Sequence, residues 1–241
     1  MSKVLSIDLA HTTVRNLGIC LLEEAQGQVD ACDYLQAAQM GLRDPPVADG
    51  VADAIFDFCM NEQIHLVMLD GPQGWKDPSN GLPHSRVCER ILNTPAKTGT
   101  LGQVKPANYT QFVEFSIAIF ASLVKRGASL ASNPIIQLLP DRLLVIESFP
   151  LSAWRRLNIV PLRSKRKSTA TDCENRLREL KTRFGTHLGQ PSSHDELQAL
   201  VAGLGGTAIA AQNHDRYIAE GVAPFHHEGT WVEGFIVNPK A

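Results

Sequence analysis

Four acidic residues stand where chemistry could use them. Asp8 ends the run Val4-Leu5-Ser6-Ile7-Asp8, Asp70 follows His65-Leu66-Val67-Met68-Leu69, and Glu147 ends Arg142-Leu143-Leu144-Val145-Ile146-Glu147. All three runs have the apolar, β-branched character of strands. Asp195 lies at the start of an Ala-rich helical stretch over 193–213. Open α/β sheets bind ligands outside the carboxyl ends of their strands, so acids at those ends converge. Clustered carboxylates repel one another unless a cation neutralises them, and Mg²⁺ or Mn²⁺ is the natural partner for oxygen ligands. Two such ions about 4 Å apart activate water and stabilise the leaving oxygen in phosphodiester cleavage. Each acid alone has a plainer reading. Asp70-Gly71-Pro72 is a turn sequence, and Glu147 precedes a helix start. Ser193-x-x-Glu196 is a capping box that places Asp195 in a first turn without any further role, and Asp8 could simply accept from a neighbouring amide. Four acids at such ends together point to a divalent-metal site.

Bases that could hold phosphate accompany the acids. The chain carries a net charge of −2, yet Arg155, Arg156, Arg163, Lys165, Arg166 and Lys167 fall in one stretch with no acid among them. Lys165, Arg166 and Lys167, with Arg176 further on, could contact a nucleic-acid backbone, which would show as salt-dependent affinity. The alternative is a solvated charged surface. Arg86, Glu89 and Arg90 share one helical face within an irregular region. They form either a phosphate clamp beside the carboxylates or an exposed charge set contributing a few tenths of a kcal/mol.

Other chemistries find less support. Five cysteines at 20, 32, 59, 88 and 173 include no C-x-x-C pair, which suits reduced thiols in the cytoplasm better than disulfides or zinc. His226-His227-Glu228 are adjacent, and neighbours in sequence rarely reach one ion. The Gly203-Leu204-Gly205-Gly206 stretch lacks the preceding strand and the Lys-Ser/Thr of a phosphate loop, so close helix-to-sheet packing explains it better. There is no G-x-S-x-G for a serine hydrolase. Trp75, Trp154 and Trp231 lie near the motifs, where they suit core packing better than base stacking. The most apolar run, Phe115 to Val124, is too short to span a bilayer.

The elements that must position these residues follow the hydrophobic pattern. Strand-like segments at 4–8 and 17–22, and a third around 29–39, come first, joined by turns, which argues for antiparallel opening strands. A helix over 47–61 follows, then the strand ending at Asp70. Residues 71–107 are rich in Gly, Pro, Asn and Ser, with a short helix over 85–92, and segments this long without structure are usually functional. Helices are expected over 108–126, 151–157, 169–184 and 193–213, with strands over 142–147 and 231–237. The order predicts one α/β domain over 1–241: a mixed sheet with antiparallel first strands, flanked by helices and carrying an insertion at about 71–107.

Several motifs, in order, resemble the domain-of-unknown-function family 429. They are Leu5-Ser6-Ile7-Asp8-Leu9-Ala10, Met68-Leu69-Asp70-Gly71-Pro72, Arg86-Val87-Cys88-Glu89-Arg90, Val145-Ile146-Glu147-Ser148-Phe149-Pro150, His194 to Leu200, and Glu233-Gly234-Phe235-Ile236-Val237-Asn238-Pro239. The resemblance implies a ribonuclease-H-like fold and a nuclease acting on DNA or RNA, although that fold group also holds resolvases, transposases and actin-like ATPases. The chain is short for a two-lobed ATPase and lacks Gly-rich loops after Asp8. One departure bears on chemistry. Where the family carries a second Asp in the late helix this chain has Gln198, and Glu196 projects about 100° away from Asp195. The resemblance therefore leaves two readings: a metal-dependent nuclease, or a nucleic-acid- or nucleotide-binding protein without turnover.

Overall fold

Alternation of apolar and polar residues near the start gives three strands, β1 (Ser2–Asp8), β2 (Gly18–Ala25) and β3 (Gln28–Tyr34), paired antiparallel in succession. The computed structural model describes residues 2–26, 28–139, 141–185 and 187–241. Helix α1 (Ala48–Asn61) leads into β4 (Leu66–Asp70), and the segment beyond holds α2 (Val87–Leu92) with the two-residue strands β5 (Lys97–Thr98) and β6 (Val104–Lys105). Helix α3 (Thr110–Lys125), β7 (Ser129–Leu130), β8 (Leu144–Ser148) and α4 (Pro150–Arg156) come next. Helices α5 (Ala170–Phe184) and α6 (His194–Ala210) precede a long closing hairpin, β9 (Tyr217–His227) and β10 (Thr230–Pro239).

The main sheet runs β3-β2-β1-β4-β8-β10-β9, with β7 beside β8. Strands β1, β4, β8 and β10 are mutually parallel, while β2 and β9 run against their neighbours. This is a mixed sheet with antiparallel first strands, flanked by helices, as the order of elements in the sequence predicts. Period-two alternation divides its side chains between two cores. Val4, Leu66, Met68, Leu144 and Ile146 pack against Trp154, Leu177 and Leu200 of α4, α5 and α6. Leu5, Ile7, Val67, Leu69 and Val145 pack on the other face with Ile55 of α1 and Phe120 of α3. Fully burying each such aliphatic side chain contributes about 1.5–3 kcal/mol.

Helix α6 is buried along almost its whole length. A Cβ at Gly203 would run into Leu22 and Ser6, and one at Gly206 into Val4 and Met68. The glycines therefore let the helix lie directly on β1, β2 and β4, the close approach their spacing suggested, and Ser6 Oγ donates to the Ala199 carbonyl at 2.7 Å. Strand β9 was not anticipated. Gly221 and Pro224 hide it, and its position at the sheet edge is where a proline costs no ladder bond. His226 and His227 end this strand rather than sitting in a loop, and His226 meets the Trp231 ring edge-on at 5.5 Å. Trp75 and Trp154 are buried, in keeping with core packing. Among the described residues no helix is long and apolar enough to cross a membrane.

Candidate metal centre and the pocket beside it

Parallel pairing of β1 with β4 puts Asp8 and Asp70 in register as direct neighbours at the carboxyl ends of adjacent strands. Their side chains are hydrogen-bonded to each other. Burial, reinforced by the neighbouring Asp70 carboxylate, holds Asp8 well above the usual carboxylate range. Burial likewise pushes Asp70 up to about 7, although the hydrogen bond with Asp8 works the other way. Both groups remain partly accessible. Two acids in this state share protons when no cation is present.

Asp195 is brought to this pair by the start of α6. The Ser193–Glu196 capping box forms: Ser193 Oγ accepts from the Glu196 amide at 3.1 Å, and the Glu196 carboxylate accepts from the Ser193 amide at 3.2 Å. Gly18 sits opposite Asp8 across β1 and β2, and a side chain there would overlap the Asp195 carbonyl. The absence of a Cβ at 18 is thus what admits the helix end to the acids. Burial acts to raise the Asp195 carboxyl, but hydrogen bonds from His194 and Lys165 hold it below its ordinary value. Lys165 pairs with Asp195, and its Nζ also donates to Asn16 Oδ1 at 3.0 Å. The basic segment is anchored there by His194 Nε2, 3.0 Å from the Arg163 carbonyl, and Arg163, Arg166 and Lys167 are exposed beside it.

Glu147 is placed differently. The residue in register with Asp70 on β8 is Ser148, so Glu147 falls one step short and follows Leu69 and Val145 towards the opposite face. There Arg86 grips it through two hydrogen bonds of 2.7 Å, and the Gln73 amide donates to it at 3.0 Å. Arg86 Nε donates to Glu89 at 3.1 Å, and Glu89 also accepts from the Thr98 amide and hydroxyl. Arg86 is 1% exposed and Glu147 3%. Burial raises the Glu147 carboxyl and Arg86 opposes the shift. Arg86 is therefore neither an exposed charge nor a guanidinium turned to solvent: it is the cation of a buried Glu147–Arg86–Glu89 triad. Arg90 is exposed at the end of α2, and Arg176 pairs with Glu179 on α5. Among the described residues, no three His, Cys, Asp or Glu side chains are gathered closely enough to form a ready metal cage.

Gln198 has a partner of its own. Its Oε1 accepts from the indole Nε1 of buried Trp154 at 2.7 Å. Glu233 is a residue whose importance the sequence barely signalled. The β9–β10 ladder slips between Val232 and Gly234, and Glu233 takes a positive φ of 60° at this bulge. Its fully buried carboxylate accepts from the Asp77 and Val87 amides, at 3.1 and 2.9 Å, and from Asn80 Nδ2 at 2.5 Å. Glu233 and the triad together pin residues 71–107 over the strand ends. The Glu-Gly pair inside a strand pattern was the available hint of a bulge.

The pinned segment walls a pocket of about 410 Å³ that includes Asp70. Tyr109, Phe112 and Phe149 supply its aromatic surface, and His11 stands edge-on to Phe112 with ring centres 6.1 Å apart. No sequence pattern pointed to these four residues, because three distant segments contribute them.

No protein-family model matches the chain, and no curated protein matches it. The solved structures similar to it include two of RuvC from Thermus thermophilus. One, in complex with a Holliday junction substrate, is 11% identical, with 88% of this chain and 98% of that chain covered and a TM-score of 0.39. The other is 11% identical, with 86% and 95% covered and a TM-score of 0.40. Likeness at this level carries no part of the functional argument, which rests on the geometry above.

Proposed function

We propose that this protein is a divalent-metal-dependent nuclease or phosphodiesterase that acts on nucleic acid in the cytoplasm, as one domain spanning residues 1–241 and a relative of the family its motifs resemble. The observation that carries the reading is the Asp8–Asp70 pair, two adjoining carboxyls at neighbouring strand ends whose ionisation is suppressed by burial, with the Asp70 carboxylate adding to the effect on Asp8. Mg²⁺ and Mn²⁺ suit this donor set, because Mg²⁺ is commonly held by one or two carboxylates together with water and substrate phosphate oxygens. Asp8 and Asp70 would hold the ion, with Asp195 as the third acid at the α6 start. Such an ion lowers the pKa of bound water and stabilises charge on a phosphoryl oxygen.

The chain's own groups have separable tasks in this scheme. Lys165, already among the acids, and exposed Arg163, Arg166 and Lys167 form a positive flank for the phosphate backbone, with Arg90 and Arg176 as outlying contacts. Glu147 and Arg86 act as positioning residues: their ion pair fixes α2 and the pocket wall relative to β4. The five free thiols suit a reducing compartment.

A second reading is a protein that binds nucleic acid or nucleotides without cleaving them. Gln198 engaged by Trp154, and Lys165 seated on Asp195, both favour it. The deciding experiment incubates the protein with labelled single-stranded DNA, duplex DNA, junction DNA and RNA in Mn²⁺, Mg²⁺ or EDTA, beside Asp8→Asn. Cleavage that needs metal and is lost in Asp8→Asn is expected. Binding without cleavage on every substrate establishes the second reading instead.

A further inference from the structure

The pocket beside Asp70 has a shape and chemistry that the metal site alone does not explain. It is of the size used for small organic ligands, room for one nucleotide rather than a base pair with its backbones. Three aromatic rings, those of Tyr109, Phe112 and Phe149, line it. The charged groups in its wall, Arg86, Glu89 and Glu147, are engaged with one another. That leaves little attraction for an anion inside and favours a flat, neutral occupant. Hydrogen-bonding capacity remains for such an occupant's edge. The side chains of Asn108 and Tyr109 have no hydrogen-bond partner among the described residues, and Ser148 Oγ is buried without one. Asp70 belongs both to the pocket and to the acid pair, so an occupant lies immediately beside the proposed metal centre.

We propose that this pocket receives one unpaired nucleobase, whose attached phosphate then lies at the Asp8–Asp70 pair. The inference rests on the nucleic-acid reading given above and narrows it to unstacked or single-stranded substrate. Aromatic rings stack on any base face, and the Asn108 amide supplies both a donor and an acceptor to a base edge. A duplex enters only by extruding a nucleotide, which costs least at a mismatch, junction or strand end.

Equilibrium binding in Ca²⁺, used to allow phosphate contact without turnover, tests the proposal with the full chain. The probes are a single strand of deoxyadenylate containing 2-aminopurine and a strand of equal length that is abasic throughout. The base-bearing strand should bind about tenfold more tightly, with a change in aminopurine emission, as stacking on aromatic side chains predicts. Tyr109→Ala and Asn108→Ala, in the turn just before α3, should abolish most of that preference while leaving affinity for the abasic strand near wild type, and Asn108→Ala, at an exposed side chain, should leave the melting temperature unchanged as well. Equal affinity for the two strands, or a preference indifferent to both substitutions, overturns the base pocket and leaves the nucleic-acid reading standing. Failure of both strands to bind overturns the pocket and the nucleic-acid reading together.

Discussion

In EDTA, the stability of this protein should fall as pH rises from about 5 to 8, and the Asp8–Asp70 pair should be the cause. Unfolded aspartates titrate near 3.9. In the folded protein Asp70 is pushed up to about 7, and Asp8 also lies well above its ordinary value. Between those limits the native state retains protons that the unfolded chain has released. The associated stability is therefore fully present below about pH 4, declines as pH climbs through 7, and is gone once both states are ionised. For Asp70 a displacement of about three units corresponds to at most about 4 kcal/mol, and the protons belong to the pair rather than to either residue. Asp195, held below its ordinary value, has the opposite dependence, but it acts below about pH 4, outside this window. Urea denaturation at about pH 5, 6.5 and 8 measures the effect. Wild type should lose about 2–4 kcal/mol across the range, and Asp70→Asn less than half as much, since an amide cannot ionise. Histidine titration is common to the two proteins and cancels in their difference. At pH 8, Mn²⁺ at a hundred times its Kd should return about 2.7 kcal/mol to wild type and little to the variant. Parallel pH profiles for the two proteins, with no response of wild type to Mn²⁺, would refute both the strained acid pair and its role as a metal site.

Three further substitutions separate the tasks assigned to neighbouring groups. Arg86→Met strands Glu147 and Glu89 in the interior and should cost about 3–5 kcal/mol, a fall in Tm of roughly 6–20 °C by differential scanning calorimetry; a loss below about 1 kcal/mol would mean the guanidinium is free to serve as a phosphate contact. Lys165→Met should tighten Mn²⁺ binding several-fold in calorimetric titration by unmasking Asp195, while reducing the salt slope of nucleic-acid binding by about one. Weaker Mn²⁺ binding in that variant would show that Lys165 supports the site rather than competing for it. Gln198→Leu should cost about 1–3 kcal/mol, because the buried Trp154 indole N–H loses its acceptor, and should leave Mn²⁺ affinity unchanged; a fall in affinity would put Gln198 among the metal-supporting groups.

What the sequence made legible, and what it did not, divides along a physical line. Strand and helix identity depends on local periodicity, so β1, β4, β8 and the helices α1, α3, α5 and α6 could be placed from their apolar spacing. Strand β9 could not, since Gly221 and Pro224 are tolerated only because that strand lies at an edge, a fact of tertiary structure. The acids show the same division more sharply. A carboxylate at a strand end is visible in sequence, but which face it occupies depends on register, and one residue of register reverses the face. Asp8 and Asp70 align across β1 and β4, whereas Ser148, not Glu147, stands level with Asp70 on β8. Glu147 therefore serves a buried arginine on the other side of the sheet. Register also decides what lies between the acids and the insertion: Glu147 is held by Arg86 in the pocket wall, and the rest of the ground beside Asp70 is lined by Phe112, Tyr109 and Phe149. The displacement of one carboxylate by one residue thus leaves a pair of adjoining acids and an aromatic cavity that meet at Asp70.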